Sequence, residues 1–155
     1  MLYTELTAAA MRLAYNAHHG QTDKTGVPYI FHPYHLAEIL SDQGEDEYTV
    51  CAALLHDVAE DTSVTLSELE RLFPPEVTET VRLLTHDKDT DYFDYVKALC
   101  SDVRARAVKL ADLKHNSDPE RLAVCDISGE KRRELSEKYK KAFEILLAGD
   151  NAPEP

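Results

Sequence analysis

Apolar residues recur at helical spacing along most of the chain, and glycine or proline residues interrupt the pattern between successive segments. In the first segment Leu13, Ala14 and Ala17 lie near one face, and Gly20 follows as a helix terminator. The segment from 47 to 60 is strongly apolar, so it should be central in the fold. The pattern predicts helices over residues 7–19, 33–43, 47–60, 66–73, 76–84, 92–100, 102–116 and 129–147.

Several helix ends carry recognisable signals. Thr65 followed three residues later by Glu68 is typical of a capping box, and Asp102 can cap the long helix that it precedes. Pro33 suits the first turn of the second helix, whereas Pro119 marks the exit from the long one. The sequence therefore predicts an all-α fold, a single helical bundle.

The length of 155 residues favours one domain, and neither a repeat nor a linker interrupts it. We expect that domain to cover residues 1–150. The remaining residues, 151–155, contain two prolines and no apolar periodicity, and they are expected to form a disordered tail.

The formal net charge of −12 argues against two classes of partner. Nucleic-acid polymers and anionic membrane surfaces are bound by clustered lysine and arginine, so neither is expected here. A small phosphorylated substrate is compatible with the charge, because a bound metal and a few lysines can reverse the potential locally.

The three cysteines, Cys51, Cys100 and Cys125, are widely spaced and form neither a disulfide framework nor a CxxC metal motif. The first residues lack a basic region followed by a long apolar segment. No apolar run approaches the roughly 20 residues that cross a bilayer. We therefore expect a cytoplasmic protein with reduced thiols.

Candidate chemistry centres on His56 and Asp57, which end an apolar stretch where polar groups are costly to bury without partners. A divalent metal ion would satisfy both side chains. On a helix the two lie about 100° apart, so both could reach one ion near their shared edge. His32 and Asp112 stand in similarly apolar settings and are further candidate ligands.

Other interpretations of these residues are open when each is taken alone. His32 could be a loop histidine bonded to backbone, and Asp112 could pair with Lys109 or His115 on its own helix. Glu60 and Asp61, one turn beyond His56 and Asp57, could be a solvated helix end. Taken together, the residues favour a metal site with two acidic groups beside it. Of the other histidines, His18 or His19 could support the site from outside, and structural roles are assigned to His35, His86 and His115.

Four stretches carry a resemblance to a known family. They are residues 17–21, residues 24–33, residues 52–62 (AALLHDVAEDT) and residues 104–116 (RARAVKLADLKHN). In order and spacing the chain resembles the HD-domain metal-dependent phosphohydrolases. More narrowly, it is similar to the hydrolase domain of RelA/SpoT-type alarmone enzymes and their small stand-alone relatives.

The resemblance implies an HD-domain helical bundle that binds one ion, typically manganese, through His32, His56, Asp57 and Asp112. It implies that Glu60 and Asp61 handle the attacking water. It further implies that Lys24 and Asn116 contact the substrate. The implied reaction is hydrolysis of guanosine 3′,5′-bis(diphosphate) to pyrophosphate and GDP, or GTP from the pentaphosphate.

The chain departs from the alarmone hydrolase pattern at Asp23 and Asp118, where those enzymes usually carry arginine. Each change removes positive charge from the region that would hold the nucleotide, although Arg121 could compensate in part. Two alternatives therefore accompany the main interpretation. One is a phosphatase or phosphodiesterase of another nucleotide, and the other is a non-catalytic sensor that binds metal and nucleotide.

Overall fold

The apolar segment predicted to be central forms helix α3, Glu47–Leu55, in which every residue from Thr49 to Leu55 is buried. A helix that is apolar all round needs neighbours on every side. Helix α3 accordingly packs against α1 (Glu5–Ala17), α2 (Phe31–Asp42), α6 (Pro75–Leu84) and α8 (Val103–Asn116).

The computed structural model describes residues 2–149, and over these residues the chain forms helices and no strand. The predicted all-α class is confirmed. The remaining helices are α4 (Val58–Asp61), α5 (Leu66–Leu72), α7 (Tyr92–Ala98), α9 (Pro119–Val124) and α10 (Gly129–Ala148), with a 3₁₀ turn at Leu99–Ser101. The tail predicted for 151–155 lies outside the described residues. Every helix within residues 2–149 is too short or too polar to cross a bilayer.

The prediction of one helix over residues 47–60 is wrong, because a turn at His56 and Asp57 separates α3 from α4. The Nδ1 atom of His56 lies 2.7 Å from the carbonyl oxygen of Ala53, to which it donates. A continuing helix would offer that carbonyl to the amide of Asp57. The competing side-chain bond accounts for the break, which places both side chains at the end of the most buried helix.

Several helix boundaries also differ from the sequence predictions: α1 lies two residues earlier than the predicted 7–19, and α7 ends at Ala98 and not at residue 100. Helix α2 begins at Phe31, so His32 is a helical residue and not a loop residue, while Pro33 lies in the first turn as expected. Pro119 opens the additional helix α9 and does not mark an exit into a loop. The side chain of Asp118 caps this helix by accepting from the amide of Glu120 at 2.8 Å.

The predicted caps at Thr65 and Asp102 are confirmed. The Thr65 hydroxyl and the Glu68 carboxylate bond reciprocally to each other's main-chain amides, which is a complete capping box. Asp102 accepts from the amide of Ala105 at 2.7 Å. These local bonds set the start of α8, the helix that carries Asp112.

Asp46 ties the start of α3 to α8. One of its carboxylate oxygens caps α3 by accepting from the amide and hydroxyl of Thr49, both at 2.8 Å. The other accepts from Nη2 of Arg104 on α8 at 2.8 Å. Burial raises the pKa of Asp46, but the Arg104 and Thr49 hydrogen bonds outweigh it and lower the pKa to about 2. The pair links the start of α3, the helix that ends beside His56, to α8, which carries Asp112.

Replacing Asp46 with asparagine should keep the cap and remove the ion pair with Arg104. We expect the free energy of unfolding at pH 7 to fall by about 1 kcal/mol, after allowance for solvent screening of this half-exposed side chain. Because the folded pKa is depressed, the difference should be full above the unfolded value of 3.8 and shrink as pH falls toward 2. Urea unfolding at pH 7 and pH 3 measures it, with Asp94→Asn, which removes a solvent-exposed ion pair with Lys97 on α7, as the control. A difference that does not shrink at pH 3 would contradict the assignment.

Candidate metal centre

Three predicted ligands converge at the junction of α2 with the turn between α3 and α4. One ligand atom from each of His32, His56 and Asp57 lies within 4.8 Å of the other two. The Oδ2 atom of Asp57 is 2.9 Å from Nε2 of His56 and 3.8 Å from Nε2 of His32. Both histidines are buried and the carboxylate is partly exposed. This geometry can hold a metal ion.

Asp112 reaches the same place from α8 but already has partners. Its Oδ1 atom is 3.3 Å from Nε2 of His32 and accepts from the Asn116 amide at 2.6 Å. Its Oδ2 atom is 2.8 Å from Nζ of Lys109. The pairing with Lys109 considered from the sequence is therefore present, and Asp112 faces His32 at the same time. A carboxylate that is 5% exposed needs such partners, and together they hold its pKa far below the usual range despite burial.

The hydrogen bond of His56 assigns its tautomer. A carbonyl oxygen can only accept, so Nδ1 carries the proton that it donates to Ala53. In the neutral ring Nε2 then presents a lone pair toward Asp57, and this buried atom has no hydrogen-bond partner of acceptable geometry. A lone pair that faces a carboxylate oxygen at 2.9 Å requires a positive charge between or on them.

The contact with His115 assigns the tautomer of His32 in the same way. From the sequence, His115 was interpreted as a structural residue. The Nδ1 atom of His115 accepts from Nη1 of Arg121 at 2.9 Å and lies 2.6 Å from Nδ1 of His32. Since His115 accepts at this atom, His32 donates, and its Nε2 atom presents a lone pair toward Oδ1 of Asp112 at 3.3 Å and Oδ2 of Asp57 at 3.8 Å. Burial, together with the positive charge of Arg121, lowers the pKa of His115 to about 4, which keeps it neutral. Ligating histidines usually have such a partner on the second nitrogen.

The donor set therefore fits a divalent cation. Two imidazole nitrogens and the Asp57 carboxylate form a mixed nitrogen and oxygen set suited to first-row metal ions, and Asp112 lies outside this convergent group but 3.3 Å from His32. Burial lowers the pKa of His56, but the charge of Asp57 outweighs burial and raises it to about 9. The pKa of Asp57 falls to about 2, because the attraction to His56 outweighs burial. Positive charge is thus favoured at this point, whether it is carried by a proton or by a metal ion.

Tyr29 is a further contact that sequence reasoning missed. It lies in the loop before α2, and its hydroxyl donates to Oδ2 of Asp57. Burial and the nearby Asp57 charge raise the pKa of Tyr29, so the hydroxyl stays protonated and keeps donating. Only its position three residues before His32 could have suggested it, which is a weak signal. The bond restrains the carboxylate that both histidines face.

Glu60 and Asp61 lie on the one-turn helix α4, beside the three convergent residues. Glu60 accepts from the main-chain amide of His86 at 3.2 Å, and Asp61 lines the adjoining cavity. Burial and the Asp57 charge raise the pKa of both carboxyl groups above their ordinary values. A carboxylate with a raised pKa is a stronger base, so the pair is suited to accepting a proton.

A cavity of about 380 Å³ opens onto three of the candidate metal ligands, His32, Asp57 and Asp112. Both residues predicted to contact substrate, Lys24 and Asn116, lie in its wall, as does Tyr139 of α10. The structure therefore brings most of the sequence-predicted residues together around one opening, whereas His56 and Glu60 lie behind the cavity wall.

Asp23 and Arg121 form an ion pair in the same wall, 3.0 Å apart. The second oxygen of Asp23 accepts from the amides of Thr25 and Val27 and from the Thr25 hydroxyl. Burial raises the pKa of Asp23, but these bonds and Arg121 outweigh it and lower the pKa to about 2. The positive charge of Arg121 is thus already paired in the cavity.

Histidine and aspartate side chains from α2, α8 and the turn after α3 meet in an all-helical fold. The protein is therefore of the all-α class with a candidate metal centre between its helices. Residues 10–148 match the family described as the HD domain. The chain belongs to the HD domain family.

Two relatives show which members of the family this chain resembles in sequence. The chain is 33% identical over 153 residues to a probable guanosine-3′,5′-bis(diphosphate) 3′-pyrophosphohydrolase of Synechocystis sp., covering 91% of this chain and 20% of that protein. It is 40% identical over 118 residues to the bifunctional (p)ppGpp synthase/hydrolase SpoT of Escherichia coli K12, covering 69% and 17%. The chain thus spans about a fifth of the length of the curated relatives that it matches.

A solved structure is similar over nearly its whole length. It is described as a metazoan ortholog of SpoT that hydrolyzes ppGpp and plays a role in starvation responses. The two share 29% sequence identity and a TM-score of 0.80, covering 94% of this chain and 88% of the other.

Proposed function

We propose that this chain is a metal-dependent phosphohydrolase that converts guanosine 3′,5′-bis(diphosphate) into pyrophosphate and GDP, or the pentaphosphate into GTP. The observation that carries the proposal is the convergence of His32, His56 and Asp57 beside Asp61, at a cavity that also contains Lys24. The likeness to relatives named for this reaction supports the choice of substrate. The HD domain would occupy residues 1–150, and three unpaired thiols fit a reducing cytoplasm.

The proposed ligands are His32, His56, Asp57 and Asp112, and the proposed ion is Mn²⁺. Nε2 lone pairs on both histidines and the mixed donor set support this assignment. When bound, the ion would supply Lewis acidity that makes water more acidic and withdraws charge from a phosphoryl oxygen. Asp112 would have to share its oxygens with Lys109 and Asn116.

Glu60 and Asp61 would orient the attacking water and accept its proton, a contribution typically worth 10²–10⁴-fold in rate. Water oxygen would bond to the phosphorus attached to ribose O3′, and the bond from that phosphorus to O3′ would break. O3′ would then take up a proton, and pyrophosphate would carry the water oxygen away. Lys24 and Asn116 would hold the substrate, with the lysine offsetting phosphate charge.

The ion pair of Asp23 with Arg121 favours a second candidate, hydrolysis of a nucleotide with fewer phosphates. Pairing leaves less unbalanced positive charge in the cavity wall for a highly charged substrate. The chemistry at the metal-site residues would be the same for either substrate.

Replacing Asp23 with asparagine should separate the two candidates. The amide keeps an oxygen for the turn at Thr25 but releases the charge of Arg121 into the cavity. If guanosine 3′,5′-bis(diphosphate) is the substrate, we expect its KM to fall about fivefold at low salt with kcat unchanged, as one extra charge near the phosphates adds about 1 kcal/mol. Asp118→Asn is the matched control, because that side chain caps α9 outside the cavity wall. A higher KM in Asp23→Asn would indicate that the ion pair itself shapes the pocket.

The direct test follows the manganese-loaded protein and guanosine 3′,5′-bis(diphosphate) by phosphorus NMR, with Asp57→Ala as the control. Asp57-dependent release of pyrophosphate supports the proposal. If the protein binds manganese but does not hydrolyse this nucleotide, the proposed substrate becomes another phosphorylated nucleotide, to be identified with a panel of nucleotides. Binding of the nucleotide with no hydrolysis in that panel would favour the sensor interpretation.

A further inference from the structure

Helix α4 is a single turn, Val58–Asp61, and it carries both acidic residues assigned to the water. Isolated helices shorter than about 12 residues are marginal in water, so α4 depends on contacts from elsewhere. The carbonyls of a last helical turn have no partner within the helix and require outside donors. The carbonyl of Asp61 is one of these, and its donor lies 40 residues earlier in the chain.

That donor is the side-chain amide of Gln21, whose Nε2 atom is 2.9 Å from the carbonyl oxygen of Asp61. The main chain of Gln21 is itself held on both sides, because its amide donates to His18 and its carbonyl accepts from Tyr29. Gly20 permits the turn by adopting a φ of +79°, where a side chain would be strained. Gln21 is thus a fixed point from which α4 can be held.

The Asp61 carbonyl fixes the orientation of the Gln21 amide, and the amide in turn fixes the tautomer of His18. Its Nδ1 atom is 2.8 Å from Oε1 of Gln21, and the ring is 2% exposed and packs against Tyr29 at 4.8 Å. Since the amide nitrogen is used on Asp61, Oε1 must accept, and Nδ1 of His18 must carry the proton. A flipped amide would place its oxygen against the Asp61 carbonyl oxygen, where neither atom can donate.

We infer that His18 and Gln21 are positioning residues that hold Asp61 at the attacking water. Neither residue is within two positions of a proposed ligand, and neither lines the wall of the 380 Å³ cavity. Their contribution would therefore fall on the turnover step and leave substrate and metal affinity unchanged. The inference rests on the proposed function only for its catalytic consequence, since the anchoring of α4 is independent of substrate.

Replacing Gln21 with methionine keeps the side-chain length and removes both hydrogen bonds. We expect kcat to fall about tenfold, with KM and manganese affinity unchanged, because losing the bond to Asp61, taken as about 1.4 kcal/mol, corresponds to that factor. In an Asp61→Asn background the same change should lower kcat no further, since its effect passes through Asp61. A full tenfold loss in that background would overturn the inference, as would a raised KM without loss of kcat.

Amide hydrogen exchange provides a measurement that needs no substrate. The amides of Asp61 and Thr62, which bond to Asp57 and Val58 within α4, should exchange several-fold faster in Gln21→Met than in the parent protein. Unchanged exchange at both amides would overturn the anchor. If the parent protein fails to hydrolyse guanosine 3′,5′-bis(diphosphate), the proposed function fails, and exchange still decides whether Gln21 holds α4.

A second variant tests the inference if Gln21→Met folds poorly, and a third serves as the control. Gln21→Glu retains the shape and the acceptor for His18 but removes the donor to Asp61, so it should show the same faster exchange. Gln43→Met makes the identical substitution at an exposed position after α2 and should match the parent protein in kcat and exchange. Nitrogen NMR of His18 should report a proton on Nδ1 in the parent protein, and a ring protonated only on Nε2 would overturn the assignment.

Discussion

Asp57→Ala should lose the bound metal ion and reduce turnover by at least about 10³-fold. Its Oδ2 atom is the one that both His32 and His56 face, so the substitution removes the negative charge on which the site depends. Losing a ligand removes both the water activation and the charge neutralisation that a bound ion contributes. Metal content by elemental analysis and pyrophosphate release by phosphorus NMR measure the two effects in the same preparation.

Asp126→Ala is the matched control for this variant, since Asp126 is exposed and lies outside the cavity wall. It should keep both metal and turnover. Full turnover in Asp57→Ala, or stoichiometric metal with full affinity, would remove Asp57 from the ligand set. Asp112→Ala should behave like Asp57→Ala if Asp112 is the fourth ligand, whereas retained metal would restrict it to orienting His32.

Glu60→Gln should retain the metal ion and lower kcat by about 10²-fold or more, within the range for loss of a general base. The amide preserves the shape and an acceptor for the His86 amide, but it cannot take a proton from water. Because burial and Asp57 raise the pKa of Glu60, kcat of the parent protein should decline on acidification beginning above the ordinary value of 4.5. The sign follows from the role of the group, since only the deprotonated carboxylate accepts a proton.

The measurement is kcat from pH 5 to pH 8 for the parent protein, Glu60→Gln and Asp61→Asn at saturating manganese. If one carboxylate is the base and the other orients the water, the two variants should differ in the depth of the loss. Unchanged turnover in Glu60→Gln would exclude it from the mechanism. In that case Asp61, which lies in the cavity wall, would be the carboxylate that accepts the proton of the attacking water.

Most helices could be predicted because their signals are local. The periodicity of α1, the capping box at Thr65 and the cap at Asp102 involve residues three or four positions apart, and the structure has each of them. The errors arose where a distant or competing contact decided the outcome. The break at His56 follows from a ring bonding to the carbonyl of Ala53, and periodicity contains no sign of that bond.

Candidate ligands could also be proposed from the sequence, because buried polar side chains in apolar stretches are too costly to lack partners. His32, His56 and Asp57 indeed converge, and Asp112 faces His32. Their roles, together with those of Glu60 and Asp61, stay predictions until the variants are measured. The supporting residues could not be found this way, since His115 meets His32 across 83 positions of sequence.

By itself, the sequence determined the helical class, the stretches that are buried and the side chains available for a metal ion, since each follows from residue type and short-range spacing. Tertiary structure alone decided the tautomers of His32 and His56, the neutralisation of Arg121 by Asp23, and the anchoring of Asp61 by Gln21. Hydrogen bonds and charge pairs act over a few ångströms, and only the packing of helices far apart in the chain brings those atoms within reach.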